Sequence, residues 1–209
     1  MDFKTELKKY QEQVNNELEK YLRKQDCPER ILNNAMEYSL MAGGKRLRPT
    51  LVLSTYKLFK ENLEAAMPYA ISIEMVHNAS LIHDDLPGID NDNLRHGKPT
   101  NHKQFNEATA ILAGDGLFNY AYIVISSDLL NTENENELKN KIKIFKEFSI
   151  ATDRMLAGEY LDTECEEKNI STEKLKYIHK NKTGAYLRLC ARMGAILGRA
   201  TESQLEKIT

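Results

Sequence analysis

From Glu74 to Arg95 the chain reads Glu-Met-Val-His-Asn-Ala-Ser-Leu-Ile-His-Asp-Asp-Leu-Pro-Gly-Ile-Asp-Asn-Asp-Asn-Leu-Arg, an apolar helical stretch that closes in a burst of carboxylates. His77, Ser80 and Asp84 stand at i, i+3 and i+7 and so share one helix face, with Ile73, Val76, Leu81 and Ile82 supplying apolar surface around it. Pro87-Gly88 ends the helix. Asp84 and Asp85 then fall in or near its last turn, where the helix dipole is negative and each acidic side chain is disfavoured by about 0.3 to 1 kcal/mol. Two carboxylates there call for a cation. The turn brings Asp90 and Asp92 back towards them, followed by Arg95, His96 and Lys98. Oxygen donors with no thiols and no tight histidine cluster suit Mg²⁺, which keeps several waters and bridges one or two carboxylates to a substrate phosphate.

The remaining chain carries helical periodicity almost throughout. Leu7, Tyr10, Val14, Leu18 and Leu22 predict an outer helix over about residues 2 to 24, and Ile31, Leu32, Ala35, Met36 and Leu40 a second from Glu29 to Met41, stopped by Gly43-Gly44. Pro49 opens a third, from Thr50 to about Phe59, and another begins near Leu63 and runs into the aspartates. Beyond His102 two buried helical segments are expected, separated at Ala113-Gly114-Asp115. Residues 131 to 137 form a polar loop, and a long amphipathic run follows through Leu138, Ile142, Phe145, Phe148, Thr152, Met155, Leu156 and Leu161. Ser171 or Thr172 with Glu173 starts a further helix that Lys182-Thr183-Gly184 interrupts, and residues from Ser203 onward begin another. There is no credible series of strands, and the ten glycines and five prolines gather at the breaks. The fold class is all-α, a helical bundle forming a single domain over residues 1 to 209.

Composition excludes several functions. A formal net charge of −2 argues against broad nucleic-acid or anionic-membrane binding, so basic residues act as local clusters. Cys27, Cys165 and Cys190 are odd in number and far apart, fitting reduced thiols rather than a disulfide framework or a zinc site. No signal-like start is present and no stretch approaches the roughly 18 apolar residues of a membrane span. The expected location is the cytoplasm.

Each cluster has an ordinary reading beside the chemical one. The aspartates alone could be a solvated turn or a weak calcium loop, but the flanking helix is too apolar for a surface helix and buried unpaired charges would be costly. Lys45, Arg46 and Arg48 beside Gly43-Gly44 could merely complete a helix C-terminus; flexible backbone with Lys and Arg also makes a diphosphate cradle. His77 could be a satisfied core histidine. Lys182-Thr183-Gly184, a cation, a hydroxyl and a glycine at a helix break, has the donors a second anion site requires. Together these describe a site for two diphosphates and an apolar chain. The adjacent His83-Asp84 also raises a metal phosphohydrolase of the His-Asp type, which fails because no histidine precedes His77.

Gly43 to Pro49, Glu74 to His77, Ser80 to Asp92, Leu94-Arg95, Gly97 to His102, Ala113 to Asp115 and Lys182 to Gly184 fall, in order and spacing, as they do in the trans-isoprenyl diphosphate synthases. The sequence resembles this polyprenyl synthetase family from about Leu40 through Gly198. The resemblance implies an isoprenoid-synthase bundle around a central apolar cavity and a homodimer. It implies that Asp84 and Asp90, with Asp85 helping, hold Mg²⁺ against an allylic diphosphate, which Arg95, Lys182 and Thr183 also bind. Lys45, Arg48, His77 and His96 would hold isopentenyl diphosphate. Condensing the two makes the chain a prenyltransferase, with Asp84, Asp85, Asp90 and Lys182 as catalytic residues.

Ala79 and Ser80, on the helix below the aspartates, are expected to set product length. Ala79 lies five residues and roughly 7 to 8 Å below Asp84, where short-product members of the family carry an aromatic. The expected product is therefore geranylgeranyl diphosphate, with farnesyl diphosphate the alternative. Two departures stand out: His96 replaces a usual arginine, and Gly158-Glu159 a usual Gly-Gln. The family's second aspartate-rich motif falls beyond the last residue, so the C-terminal helices are expected to be missing. Weak or absent turnover follows, and a non-catalytic prenyl-binding subunit is the other reading.

Overall fold

The computed structural model describes residues 2 to 21 and 27 to 209. Among the described residues ten α-helices carry it: α1 (Phe3–Tyr21), α2 (Arg30–Leu40), α3 (Leu47–Lys57), α4 (Met67–Asp84), α5 (Asn101–Gln104), α6 (Glu107–Leu130), α7 (Glu135–Glu164), α8 (Thr172–His179), α9 (Ala185–Leu197) and α10 (Glu202–Ile208). A 3₁₀ turn, Glu64–Ala66, precedes α4, and a π-helical turn, Lys180–Gly184, joins α8 to α9. Among the described residues the sole sheet is a two-residue ribbon, β1 (Leu94–Arg95) against β2 (Lys98–Pro99). The all-α reading holds. Leu22, the last residue of the expected α1 stripe, lies outside the described residues.

The residues group into two compact units. The first comprises residues up to Thr50 together with Met67–Ser127. At its heart is α4, with Tyr69, Ala70, Ile71, Ile73, Met75, Val76, Ala79 and Ile82 all buried. A helix apolar on every side can satisfy itself only by being surrounded. On α1, Tyr10, Val14 and Leu18 recur every fourth residue and make one buried stripe, as their spacing predicts. Arg46 then ties three helices: it donates to Glu74 Oε1 (2.6 Å), the Leu40 carbonyl (2.6 Å) and Asn15 Oδ1 (2.9 Å). Its side chain is 2% exposed, so the cation of the basic stretch that looked free for a ligand is spent on Glu74.

The second unit comprises Leu51–Ala66 and Asp128–Thr209. Its core is α7 against α9, with Ile144, Phe148, Met155, Tyr186, Leu189, Cys190 and Met193 buried. Arg192 clamps Glu147 through Nε and Nη2, both at 2.7 Å. Lys141, nearly buried, is neutralised by Asp128 (2.9 Å) and Glu137 (3.1 Å).

Five expectations need correction. The third helix begins at Leu47, and Pro49 sits inside its first turn, where no backbone N–H is required. Asn134 caps α7 by accepting from the Glu137 N–H, so the polar loop ends earlier than residue 137. The expected break at Ala113-Gly114-Asp115 does not exist: α6 runs straight through it. Gly114 is there for packing, because a Cβ at that position would lie 2.1 Å from His83 Nε2. Nor is α6 buried throughout, since Ile111 and Leu112 are exposed. Finally, α6 is long and apolar enough by length and composition to cross a membrane, with a mean hydropathy of 1.3 over its most apolar window. Core helices pass the same test, and Ala110, Ala113, Leu117 and Ala121 are buried.

Candidate active site

In the first unit the acidic cluster sits where α4 runs out. After Asp84 the backbone turns: the Asp90 N–H donates to the Asp84 carbonyl (2.8 Å) and the Asn91 N–H to that of Leu86 (3.1 Å). Asn91 takes a positive φ of 52°, which asparagine tolerates better than most residues. Asp90 is thereby brought back beside Asp84, as its position beyond Pro87-Gly88 predicts. Then β1 and β2 form a hairpin whose central residues, His96 and Gly97, have φ of 52° and 77°, the positive pair that a tight two-residue turn demands. The Thr100 hydroxyl donates to the Asp92 carbonyl (2.8 Å) and pins the hairpin to the acidic loop.

The hairpin delivers Arg95 to the cluster. Its Nε donates to Asp85 Oδ1 at 3.0 Å, an Nη reaches the same oxygen, and that Nη also donates to Asp92 Oδ2 at 3.2 Å. Burial pushes the Asp85 carboxyl up, and Arg95 pulls it part of the way back. The hydrogen bond to Asp85 raises the Arg95 guanidinium in turn. The cation that two carboxylates at a helix C-terminus call for is therefore supplied, for Asp85, by the chain itself. Among the described residues no three Asp, Glu, His or Cys side chains converge into a ready-made metal nest. Asp84 and Asp90, hard oxygen donors flanking one turn, still fit a Mg²⁺ that completes its shell with water and phosphate. Asp85 fits less well, with one oxygen held by Arg95.

A second, basic cluster lies in the same unit. Arg48 Nη1 and His77 Nε2 are 3.0 Å apart. A guanidinium can only donate, so Nε2 accepts and the imidazole is neutral. Burial, with Arg48, Arg46, His96 and Arg95 nearby, lowers the His77 pKa to about 3, in keeping with that tautomer. Arg48 Nε is buried with no protein acceptor. His96 lies against Gly44, whose φ of 112° only glycine adopts with ease, and Lys45 is exposed. Ala79 is fully buried on α4, and Ser80 turns its hydroxyl back to the His77 carbonyl at 2.9 Å. His83 approaches the Ile111 carbonyl (3.0 Å) and Phe118.

In the second unit Lys182 and Thr183 occupy the π-helical turn. The Ala185 N–H bonds to the Lys180 carbonyl, five residues back, so the helix widens rather than breaks. The expected exposed helix terminus, with free N–H groups for an anion, is not formed. Lys182 Nζ instead contacts Glu159 (2.9 Å) and Asp162 (2.6 Å) on α7. Burial would lower this lysine, but the hydrogen bonds it donates to Asp162 and Glu159 outweigh it and hold its pKa well above the ordinary value. Gly158 allows the close approach, since a Cβ there would lie 2.3 Å from the Lys182 backbone nitrogen. Neither Glu159 nor Asp162 was singled out as a site residue from sequence; their i, i+3 spacing on one helix face was the available signal. Thr183 is exposed.

The fold is that of solved isoprenoid synthases. An FPP/GFPP synthase from Zymomonas mobilis superposes with a TM-score of 0.90 at 34% identity, covering 98% of this chain and 74% of that one. A geranyltranstransferase from Thermotoga maritima gives 0.83 at 36% identity, over 96% and 72%. The polyprenyl synthetase family model matches residues 29–209, and the chain belongs to that family. It is 41% identical over 197 residues to the farnesyl diphosphate synthase of Bacillus subtilis, covering 93% of this chain and 65% of that one. To the chloroplastic geranylgeranyl pyrophosphate synthase of Capsicum annuum it is 43% identical over 179 residues, covering 85% and 48%. The chain thus spans between about half and two thirds of these two relatives' length.

Proposed function

We propose that the chain is a trans-prenyltransferase that joins isopentenyl diphosphate head to tail to an allylic diphosphate. Family membership supports the reaction class. At the level of residues, the observation that carries it is the turn that returns Asp90 to Asp84 at the end of the buried helix α4. Asp84 and Asp90 would hold Mg²⁺, with the oxygen of Asp85 that Arg95 leaves free assisting. Bound there, the metal supplies Lewis-acid stabilisation to a departing diphosphate.

In the first unit Arg95 holds the allylic diphosphate; in the second, Lys182 and Thr183 are diphosphate-binding residues on the same reading. Lys45, Arg48 and His96 hold that of isopentenyl diphosphate; Arg48 Nε has an unused donor for it, and neutral His77 fixes the guanidinium. The allylic C–O bond breaks, leaving an allylic cation and diphosphate. The double bond of isopentenyl diphosphate attacks that cation, and the proton then lost goes to the departing diphosphate, since no side chain in the cluster is a plain general base. Apolar walls exclude the water that would quench the cation. Ala79 and Ser80 set chain length, and the small Ala79 favours geranylgeranyl diphosphate over farnesyl diphosphate. The proposal includes a cytoplasmic homodimer, which light scattering tests.

The decisive assay supplies Mg²⁺ and labelled isopentenyl diphosphate with dimethylallyl, geranyl or farnesyl diphosphate, for the chain alone and mixed with a full-length relative. A C20 product supports the whole reading; a C15 product corrects the length alone. Turnover in the mixture above that of the relative alone, with none from the chain alone, supports a non-catalytic subunit. Absence of both turnover and Mg²⁺-pyrophosphate binding contradicts the proposal.

A further inference from the structure

Lys182 is spoken for. Its ammonium has three donors, and two carboxylates on α7 already engage it: Glu159 through both oxygens at 2.9 Å and Asp162 Oδ2 at 2.6 Å. The triad of one cation and two anions carries a net charge of −1. A diphosphate approaching this lysine would therefore meet a group of the wrong overall sign. Glu159 is the better shielded of the two acids, its side chain 18% exposed against 45% for Asp162, so its charge is less screened. The three side chains cannot drift apart easily. Gly158, immediately before Glu159, sits so close to the Lys182 backbone that no side chain fits between.

We propose that Glu159 and Asp162 form a carboxylate latch on Lys182, and that Glu159 tunes how strongly the lysine can grip a diphosphate. Glu159 is a positioning residue, acting through Lys182. In the latched state the ammonium is parked on α7; an incoming diphosphate must take over one of its hydrogen bonds while the second carboxylate keeps it aimed. Glutamine at 159 keeps a hydrogen-bond acceptor for the lysine and removes the opposing charge. Glutamate thus lowers diphosphate affinity and speeds the release of a diphosphate product, and the inference rests on the function proposed above for Lys182.

The test measures binding of inorganic pyrophosphate with Mg²⁺ by titration calorimetry for the wild-type chain and for Lys182→Ala, Glu159→Gln, Glu159→Asp and Asp162→Asn. Glu159→Gln should tighten binding roughly threefold to tenfold, the range expected for removing one partly shielded opposing charge. Glu159→Asp should stay at the wild-type value, and Lys182→Ala should weaken binding. A purely structural contact would instead lower the melting temperature of Glu159→Gln and leave its affinity unchanged. Should Glu159→Gln prove unstable, Asp162→Asn, which removes the other opposing charge, must show a tightening of the same sign. If the wild type binds, Lys182→Ala is weakened and neither amide variant tightens, the latch is wrong while the assignment of Lys182 stands. If Lys182→Ala binds as the wild type does, or the wild type binds no pyrophosphate, both fall.

Discussion

Arg48 donates to His77 across 3.0 Å, from the first turn of α3 to the middle of α4. Since guanidinium offers no lone pair, the contact requires a neutral imidazole, and burial among cations enforces it with a pKa of about 3. The folded state therefore binds fewer protons at His77 than the unfolded chain, whose histidine titrates near 6.5. Stability from this group is fully present above that pH and is lost as pH falls from about 6.5 towards 3.

Denaturant melts should accordingly show the wild type losing up to about 1.4 kcal/mol per pH unit below pH 6.5 from this residue. His77→Gln keeps an acceptor for Arg48 and does not titrate. Its stability between pH 6.5 and 5 should be flatter than that of the wild type; parallel curves would mean that the imidazole is not held neutral.

Asp85 and Arg95 should be coupled. Arg95→Ala leaves a buried carboxylate facing Asp90 and Asp92 without its guanidinium, and should cost about 1 to 3 kcal/mol. Replacing both, Asp85→Asn with Arg95→Met, should cost less than the sum of the two single changes in a double-mutant cycle of urea midpoints. Additive effects would show that the two side chains do not interact.

How much of this was open to a reader of the sequence depends on what each element asks of its residues. The α4 helix and its acidic end declare themselves, because an unbroken apolar run stopped by Pro87-Gly88 has few alternatives. The basic stretch from Lys45 to Arg48 did not reveal that Arg46 is buried on Glu74 while Arg48 faces His77, a choice set by a positive φ of 48° at Arg46 and by helix packing. The π-helical turn adds one residue to a helical period and so mimics a break. The Asp85–Arg95 pairing is made by a hairpin of two-residue strands, too short to leave an alternating pattern.

Gly114 and Gly116 illustrate the same difficulty, since a glycine that ends a helix and one that lets another side chain in look alike. Gly114→Ala would place a Cβ 2.1 Å from the His83 ring, and Gly116→Ala one 2.6 Å from Met36 Sδ. Each gains about 1 kcal/mol of helix propensity. Overpacking against a fixed imidazole should outweigh that gain, by about 1 to 3 kcal/mol, whereas flexible Met36 can move aside. Thermal denaturation should rank Gly114→Ala below Gly116→Ala; the reverse order would contradict the packing role.

Ala79 offers a test through the product. It is fully buried, so Ala79→Phe must push into space along α4, lowering the melting temperature and, if this position closes the chain-length pocket, shortening the product. Chromatography of the prenyl alcohols reads the change. An unchanged chain length would place the floor of the pocket elsewhere.

The most direct test is diffraction from crystals grown with Mg²⁺ and methylenediphosphonate. Metal density should lie about 2.1 Å from carboxylate oxygens of Asp84 and Asp90 and bridge to the phosphonate. Phosphonate bound elsewhere, with both carboxylates turned to bulk solvent and no metal between them, would contradict the assignment of this acidic turn as the diphosphate site.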